Sequence, residues 1–222
     1  MTNEKIIEQT MSFVKRTLKG AEGGHDWFHT HRVYLNALSI AENEKVNPFI
    51  VGLGALLHDI ADAKFHNGDE SVGPKLASEF LQAIEVEQKV IDHVVLIIEH
   101  ISFKSSLPNA SKKQEKFNSL ELQVIQDADR LDAIGAIGIA RAFNYGGFKN
   151  RALHDPDIRP NLNMTKEQYK KSTGPTINHF YEKLLLLKDK MNTKAGKQLA
   201  KKRHQFMLDY LGQFQSEWTG NL

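Results

Sequence analysis

Hydrophobic residues recur along much of the chain at the 3.6-residue spacing of an α-helix. Two early segments show this spacing, with apolar residues at Ile6, Met11, Phe13 and Val14, and at Val33, Ala37, Leu38 and Ile40. The stretch Ile50–Ile60 is apolar on nearly all sides, which predicts a helix buried in the core. Because no segment has a convincing strand pattern, we expect an all-α fold.

Further helices are predicted in later segments, at Ser71–Ile84, Val86–His100, Leu120–Phe143, Lys166–Lys171, Pro175–Lys190 and Lys194–Trp218. Thr165 and Gln168 form a candidate capping box. Two polar segments, Lys104–Ser119 and Tyr145–Asn163, interrupt the helical pattern, and we expect both to be loops. The second is long and contains glycine, proline and charged residues, which makes it a candidate lid over a site.

The composition is that of an ordinary globular protein, with 222 residues, of which 41% are hydrophobic and 25% are charged. The absence of cysteine excludes disulfides, zinc–thiolate sites, iron–sulfur clusters and thiol nucleophiles. The first ten residues lack a signal-peptide pattern, and no apolar run approaches the roughly 20 residues of a membrane span. We therefore expect a cytoplasmic protein with no membrane partner.

The net charge of +2 says little about partners, but its distribution is uneven. One C-terminal stretch is rich in cations, at Lys188, Lys190, Lys194, Lys197, Lys201, Lys202 and Arg203. Such a stretch could attract phosphates or nucleic acid, but a solvated helix face is the simpler interpretation. Nucleic acid is therefore not expected as a partner.

Three segments place imidazole or carboxylate groups next to apolar helical runs, which is unusual for ionisable side chains. These segments are 24–33, 56–62 and 126–132. Burying such groups costs several kcal/mol unless they are paired or bind a metal. Adjacent residues on a helix point about 100° apart, so His58 and Asp59 could reach one ion only near a helix end or in a cleft. A mixed set of imidazoles and carboxylates suits Mn²⁺, Fe²⁺, Mg²⁺ or Ni²⁺.

The order His … His-Asp … Asp in these segments resembles the signature of the HD-domain metal-dependent phosphohydrolases. The resemblance implies that the metal ligands are His29, His58, Asp59 and Asp129. Within this superfamily the chain looks most like the YpgQ-like nucleotide pyrophosphohydrolases. That likeness lies in residues 25–27, 61–65, 127–135 and 180–184, and it extends from about residue 5 to residue 218.

This resemblance implies a helical bundle with a C-terminal helical extension, in one domain over residues 1–222. The metal-binding core would cover about residues 20–145, and helices at about 165–218 would pack on it. The resemblance also implies one divalent ion, with Mn²⁺ as the first expectation and Mg²⁺, Ni²⁺ or Fe²⁺ as alternatives. The implied reaction is cleavage of a nucleoside triphosphate to a monophosphate and pyrophosphate.

Two residues are candidates for proton transfer. Asp62 follows His58 by four residues and Asp59 by three, so helical spacing would bring it to the same face. The resemblance gives Asp62 the role of handling a proton on the attacking water or the leaving group, whereas a surface carboxylate or a helix cap is the alternative. His100 is expected to contact substrate or metal-bound water. With His93, seven residues earlier, it could alternatively hold a second metal ion.

Cations near the metal motifs are candidates for binding the substrate's phosphates, which carry about four negative charges in a triphosphate. They are Arg32, Lys64 and Arg130, with Arg151 in the candidate lid. Arg130 could instead pair with Asp127 or Asp132.

Asp26 has two possible roles: it could hold a ligand imidazole or cap the helix that begins near Trp27. His31 is two residues from His29, on another face of that helix, and is not expected to be a ligand.

Two other functions remain open at this stage. One is a phosphomonoesterase of the 5′-nucleotidase type, with the same ligands and orthophosphate as the product. The other is a non-catalytic regulator that binds a metal ion or a nucleotide. The base and sugar preference and the oligomeric state are not indicated by the sequence.

Overall fold

The computed structural model describes residues 1–21, 24–61, 69, 71–101, 117–165, 168 and 171–221. Throughout these ranges the regular structure is helical and no strand occurs, which confirms the all-α fold. No helix in this part of the chain is both long and apolar enough to cross a membrane. The chain divides into two compact units, Met1–Asp129 and Arg130–Leu222. The packing of the C-terminal helices on the metal-binding core stays a prediction.

In its described residues, the first unit contains five complete helices and most of a sixth. They are α1 (Asn3–Thr17), α2 (Trp27–Ala41), α3 (Pro48–Leu57), α4 (Val72–Ala83), α5 (Gln88–His100) and α6 (Leu120–Asp132). Helix α3 is central, because every residue from Ile50 to Leu57 is buried and the helix contacts α1, α2 and α5. Asn47 begins α3 by accepting a hydrogen bond from the Phe49 N–H at 3.0 Å.

The helix predicted at Ile50–Ile60 is therefore confirmed as a buried helix, but it ends three residues earlier than predicted. Leu57 is the last helical residue and His58 occupies the C-cap position. This boundary matters for the site, because His58 and Asp59 lie at a helix end rather than within a regular helix.

The second unit contains α7 (Gly135–Phe148), α8 (Thr176–Glu182), a 3₁₀ helix (Leu184–Lys190) and the long α9 (Lys194–Thr219). Its core includes contacts among the rings of Phe143, Phe180, Tyr210 and Phe214. Arg141 forms an ion pair with Asp132, whose side chain is only 1% exposed. Paired in this way, the buried carboxylate is compensated.

The prediction of a single helix at Leu120–Phe143 is wrong, because the helix is interrupted between Asp132 and Gly135. Gly135 has φ of 75°, a left-handed conformation that glycine adopts readily. A Cβ there would lie 3.0 Å from the Arg203 side chain, so the position is also crowded. The break follows from backbone conformation and packing, which the hydrophobic pattern does not report.

Two other boundaries also differ from the predictions. The loop predicted at Tyr145–Asn163 begins too early, because α7 extends to Phe148. The helix predicted at Pro175–Lys190 is interrupted at Lys183, after which the chain continues as a 3₁₀ helix.

The predicted capping box is confirmed. The Thr165 N–H donates to Gln168 Oε1 at 2.8 Å, and the Gln168 N–H donates to Thr165 Oγ1 at 3.2 Å. Most of the helix predicted at Lys166–Lys171, and all but the last three residues of the loop predicted at Lys104–Ser119, lie outside the described residues.

Candidate metal centre

Helix α2 brings His29 into the interior of the first unit. Asp26 is the N-cap residue, and its side chain accepts a hydrogen bond from the His29 N–H at 2.8 Å. Asp26 therefore has the helix-capping role, one of the two considered for it. Residue His29 lies in the first turn and is only 2% exposed. His31 instead stacks against Trp27 and Tyr34, with ring centroids 5.2 Å and 6.4 Å away.

The end of α3 fixes the orientation of His58. Its Nδ1–H donates to the Ala55 carbonyl oxygen at 2.8 Å. Because this bond uses the proton on Nδ1, the lone pair of a neutral imidazole is on Nε2, the form that a metal ligand needs.

Helix α6 contributes Asp129, whose side chain is 47% exposed and therefore reaches solvent. Its Oδ1 lies 3.5 Å from His29 Nε2. Asn36 Nδ2–H, on α2, donates to the Ala128 carbonyl oxygen at 3.3 Å and so connects α2 to α6 next to this pair.

His29, His58 and Asp129 converge at one place. One potential ligand atom from each lies within 4.8 Å of the others. The rings of His29 and His58 are 5.6 Å apart between centroids and are inclined by 65°. Three donors from three helix segments therefore meet without any helix having to place adjacent residues on one face.

Asp59 lies in a second group that shares His29. His25, His29 and Asp59 also have potential ligand atoms within 4.8 Å of one another. His25 Nδ1–H donates a short hydrogen bond to Asp59 Oδ2. Burial raises the pKa of the Asp59 carboxyl, but the hydrogen bond from His25 and the imidazoles of His58, His25 and His29 lower it below its ordinary value. Asp59 is thus held as a carboxylate.

The donor set fits a divalent ion. The two groups share His29 and together contain three imidazoles and two carboxylates. These are ligand types that Mn²⁺, Fe²⁺, Mg²⁺ or Ni²⁺ accept. Oriented imidazoles and a depressed carboxyl pKa are also what a metal-binding site requires, because ligands must be deprotonated to bind.

The contact of His25 with Asp59 was not identified from the sequence. Of the three motif segments, the first contains His25, but its role depends on a contact across 34 residues of sequence. One feature of the sequence indicated a role for His25: it directly precedes Asp26, the N-cap residue of the helix that carries His29.

Of the two candidates for proton transfer, only His100 lies within the described residues. Asp62 lies outside the described residues. His100, at the end of α5, donates from Nδ1 to the Leu96 carbonyl oxygen at 2.9 Å, and its ring lies 5.5 Å from the Phe117 ring. His93 forms a 3.0 Å hydrogen bond with Ser119 Oγ. Within the described ranges, neither histidine belongs to a group of three potential metal ligands.

The candidate phosphate-binding cations are distributed over both units. Lys64 lies outside the described residues, and Arg32 is half-buried on α2, three residues after His29. Arg130 donates to the Lys190 carbonyl oxygen at 2.8 Å. Arg151 donates to the Ser172 carbonyl oxygen and lies over the Tyr145 ring, 5.5 Å from its centroid.

Comparison with known proteins identifies relatives along nearly the whole chain. The family model of the HD domain matches residues 27–134, a span that contains His29, His58, Asp59 and Asp129. Among curated proteins, the uncharacterized protein YpgQ of Bacillus subtilis is 36% identical over 222 residues, which are 99% of this chain and 97% of YpgQ.

Solved structures agree with this relationship. A crystal structure of an HD-superfamily hydrolase from Bacillus thuringiensis is 43% identical with a TM-score of 0.78, covering 98% of this chain and 99% of the other. The crystal structure of Bacillus subtilis YpgQ in complex with ADP is 35% identical with a TM-score of 0.74, covering 98% and 97%. Together with the histidine and aspartate cluster, these relatives support metal-dependent phosphohydrolase chemistry. The chain belongs to the HD-domain superfamily of hydrolases, in which it is similar to YpgQ from end to end.

Proposed function

We propose that this protein is a metal-dependent hydrolase of phosphoanhydride bonds in nucleotides, which converts a nucleoside triphosphate to a monophosphate and pyrophosphate. The convergence of His29, His58 and Asp129 within an HD-superfamily chain carries the proposal. The ADP in the YpgQ crystal structure supports a nucleotide as the substrate class.

In this proposal, His29, His58, Asp59 and Asp129 hold one divalent ion, with Mn²⁺ as the first candidate. When bound, such an ion acts as a Lewis acid on a phosphoryl oxygen and lowers the pKa of a bound water. The Ala55 carbonyl orients His58, and His25 orients Asp59. The exposed side chain of Asp129 leaves this edge of the group open to solvent, where a substrate can enter.

The reaction proceeds by displacement at the α-phosphorus. A water oxygen forms a bond to that phosphorus while the bond to the pyrophosphate oxygen breaks. Asp62 is proposed to take the proton from water, and His100 is proposed to contact the substrate or the water. Phosphate charge would be met by Arg32, Lys64, Arg130 and Arg151, since guanidinium and ammonium groups donate charge-assisted hydrogen bonds to phosphate oxygens.

The test is a hydrolysis assay on metal-stripped protein. Nucleoside triphosphates and monophosphates are supplied in turn with Mn²⁺, Mg²⁺, Ni²⁺ or Fe²⁺, and pyrophosphate and orthophosphate are measured separately. We expect pyrophosphate from triphosphates only when metal is added. Asp129→Asn should lower kcat/KM by at least about 100-fold, because it removes a charged ligand. Asp92→Asn, which changes an exposed carboxylate on α5, is the matched control and should keep full activity.

Two results would contradict the proposed reaction. Orthophosphate from monophosphates, lost in Asp129→Asn, would identify a nucleotidase on the same ligand set. Tight metal binding with no turnover of any nucleotide would instead favour a regulator that binds without hydrolysis.

A further inference from the structure

A pocket lined by cations lies in the second unit, formed by the 3₁₀ helix and α9. Its volume is about 480 Å³, and its lining residues are Lys188, Asp189, Lys197, Lys201, His204, Gln205 and Leu208. We call it the lysine pocket. Its volume lies within the roughly 300–1,000 Å³ of pockets that hold small molecules.

Helical spacing explains why α9 contributes several cations to one pocket. Lys197, Lys201, His204 and Leu208 follow one another at intervals of four, three and four residues, which places them on one face of the helix. Lys188 and Asp189 complete the lining from the 3₁₀ helix. The other lysines of this stretch, at positions 190, 194 and 202, do not line the pocket. The cation-rich stretch is therefore not uniform, because only some of its charges converge.

The charge of the pocket is only partly compensated. Its one carboxylate, Asp189, lies 3.1 Å from the Lys188 ammonium group. Lys197 and Lys201 have no ion-pair partner among the described residues. Two ammonium groups that line one concavity create a positive potential, which favours a bound anion.

His204 adds a polar group that lacks a partner. Its Nδ1 is buried and makes no hydrogen bond within the described part of the chain. Burial, and then the charge of Lys188, lower the pKa of His204 despite the opposing charge of Asp189. The imidazole is thus surrounded by a net positive environment.

We propose that the lysine pocket binds a small anion with contiguous phosphate groups, such as pyrophosphate or the phosphate chain of a nucleotide. Such anions combine high charge with several acceptor oxygens, which suits several ammonium donors that line one pocket. A compact ligand is favoured over extended nucleic acid because only some of the cations in this stretch line the pocket. Its lining residues belong to the second unit, whereas all the candidate metal ligands belong to the first.

Isothermal titration of the metal-stripped full-length protein would test the proposal, with inorganic tripolyphosphate and pyrophosphate as probes. The informative variant is Lys197→Gln/Lys201→Gln, which removes two charges from the pocket. The matched control is Lys194→Gln/Lys202→Gln, which removes two exposed charges of the same helix outside the pocket. We expect the first variant to weaken binding at least tenfold and the second to change it less than twofold.

The imidazole resonances of His204 provide a local readout, and they should shift on titration with tripolyphosphate. A parallel titration with ATP distinguishes an inorganic polyphosphate from a nucleotide as the ligand. Equal affinity for ATP and tripolyphosphate would mean that the pocket recognises the phosphates alone. Because all four substituted lysines are exposed, both variants should fold, which circular dichroism confirms before titration.

Three results would overturn the proposal. Equal loss in both double variants would mean that only the summed charge attracts the anion. Unchanged binding in both, with His204 resonances unmoved, would place the phosphate elsewhere. Tighter binding of a single-stranded oligonucleotide than of tripolyphosphate, lost in both variants, would identify a nucleic-acid surface. None of these results depends on hydrolysis, so the proposed function is tested separately.

Discussion

At the residue scale, the candidate metal centre depends on side chains that hold the ligands as well as on the ligands. His58 is oriented by a backbone carbonyl, whereas Asp59 is held by another side chain, that of His25. The hydrogen bond from His25 to Asp59 can be removed by substituting His25, which is not a proposed ligand, whereas the backbone carbonyl that orients His58 cannot be removed in this way. We therefore propose that His25 positions Asp59. Substituting His25 should weaken metal binding and leave the fold intact.

The first prediction concerns this positioning role. His25→Gln should weaken Mn²⁺ binding by about 10–100-fold, the usual cost of losing a hydrogen bond to a metal ligand. Metal affinity is measured by competition with a chelating dye, in the absence of substrate. His31→Gln is the matched control, because His31 lies on the same helix but packs between Trp27 and Tyr34. If both variants bind Mn²⁺ like the unchanged protein, His25 does not position Asp59.

A second residue-scale prediction concerns His179 in the second unit. Burial, followed by the charges of Lys183 and Arg151, lowers the pKa of His179 to about 4. The unfolded chain binds the proton at a pKa of about 6.5, so between these values it binds more protons than the folded protein. The free energy of unfolding should therefore fall as pH decreases from about 6.5 to 4.

The expected contribution is about 2 kcal/mol, less than the full pKa difference implies because the ring stays partly exposed. Urea unfolding of the unchanged protein and of His179→Gln, followed across this pH range, measures it. The variant should lose this part of the pH dependence. Identical pH profiles would mean that His179 is as easily protonated in the folded protein as in the unfolded chain.

At the element scale, a side-chain contact between α3 and α6 lies close to two of the proposed ligands. A Cβ on Gly54 would lie 2.6 Å from Ile125 Cδ1, so the Ile125 side chain occupies space that only a glycine leaves open. His58 follows Gly54 by four residues, and Asp129 follows Ile125 by four. The contact therefore lies one helical turn before the two ligands.

Enlarging Gly54 should consequently disturb both stability and metal binding. Gly54→Ala is expected to lower the free energy of unfolding by about 1–2 kcal/mol through overpacking and to weaken Mn²⁺ binding. Ile125→Val removes the Cδ1 that a new methyl group would meet, so the double variant should recover most of both losses. Chemical unfolding and dye competition measure the two effects. Additive losses in the double variant would exclude this contact as their cause.

The elements that periodicity predicted best are those in which packing and sequence pattern agree. Helix α3 is such a case, since its all-apolar sequence corresponds to burial on all sides. The break before Gly135 was missed because it depends on two tertiary contacts. Arg141 pairs with Asp132 across the turn, and the Arg203 side chain, remote in sequence, packs against Gly135. In the same way, the four proposed ligands could be named from a family pattern, but the pairing of His25 with Asp59 required tertiary structure.

At the scale of the whole molecule, the two units carry different chemistry. The histidine and aspartate groups lie in the first unit, whereas the lysine pocket and the rings around Phe180 lie in the second. Family membership indicates that the chain is a hydrolase. It does not indicate which of the two units binds the metal ion and which binds phosphate. A measurement of stability in the presence of metal separates the first task from catalysis.

Metal binding should stabilise the folded protein, because the ligands are assembled from α2, the end of α3 and α6 only when the chain is folded. At a Mn²⁺ concentration about 100 times the dissociation constant, the free energy of unfolding should rise by about 2.7 kcal/mol. Thermal or urea unfolding with and without Mn²⁺ measures the increase. Asp129→Asn should abolish most of it, while the exposed carboxylate variant Asp92→Asn should retain it. If Mn²⁺ stabilised Asp129→Asn as much as the unchanged protein, the ion would bind elsewhere, and the ligand set would be wrong whatever the enzyme hydrolyses.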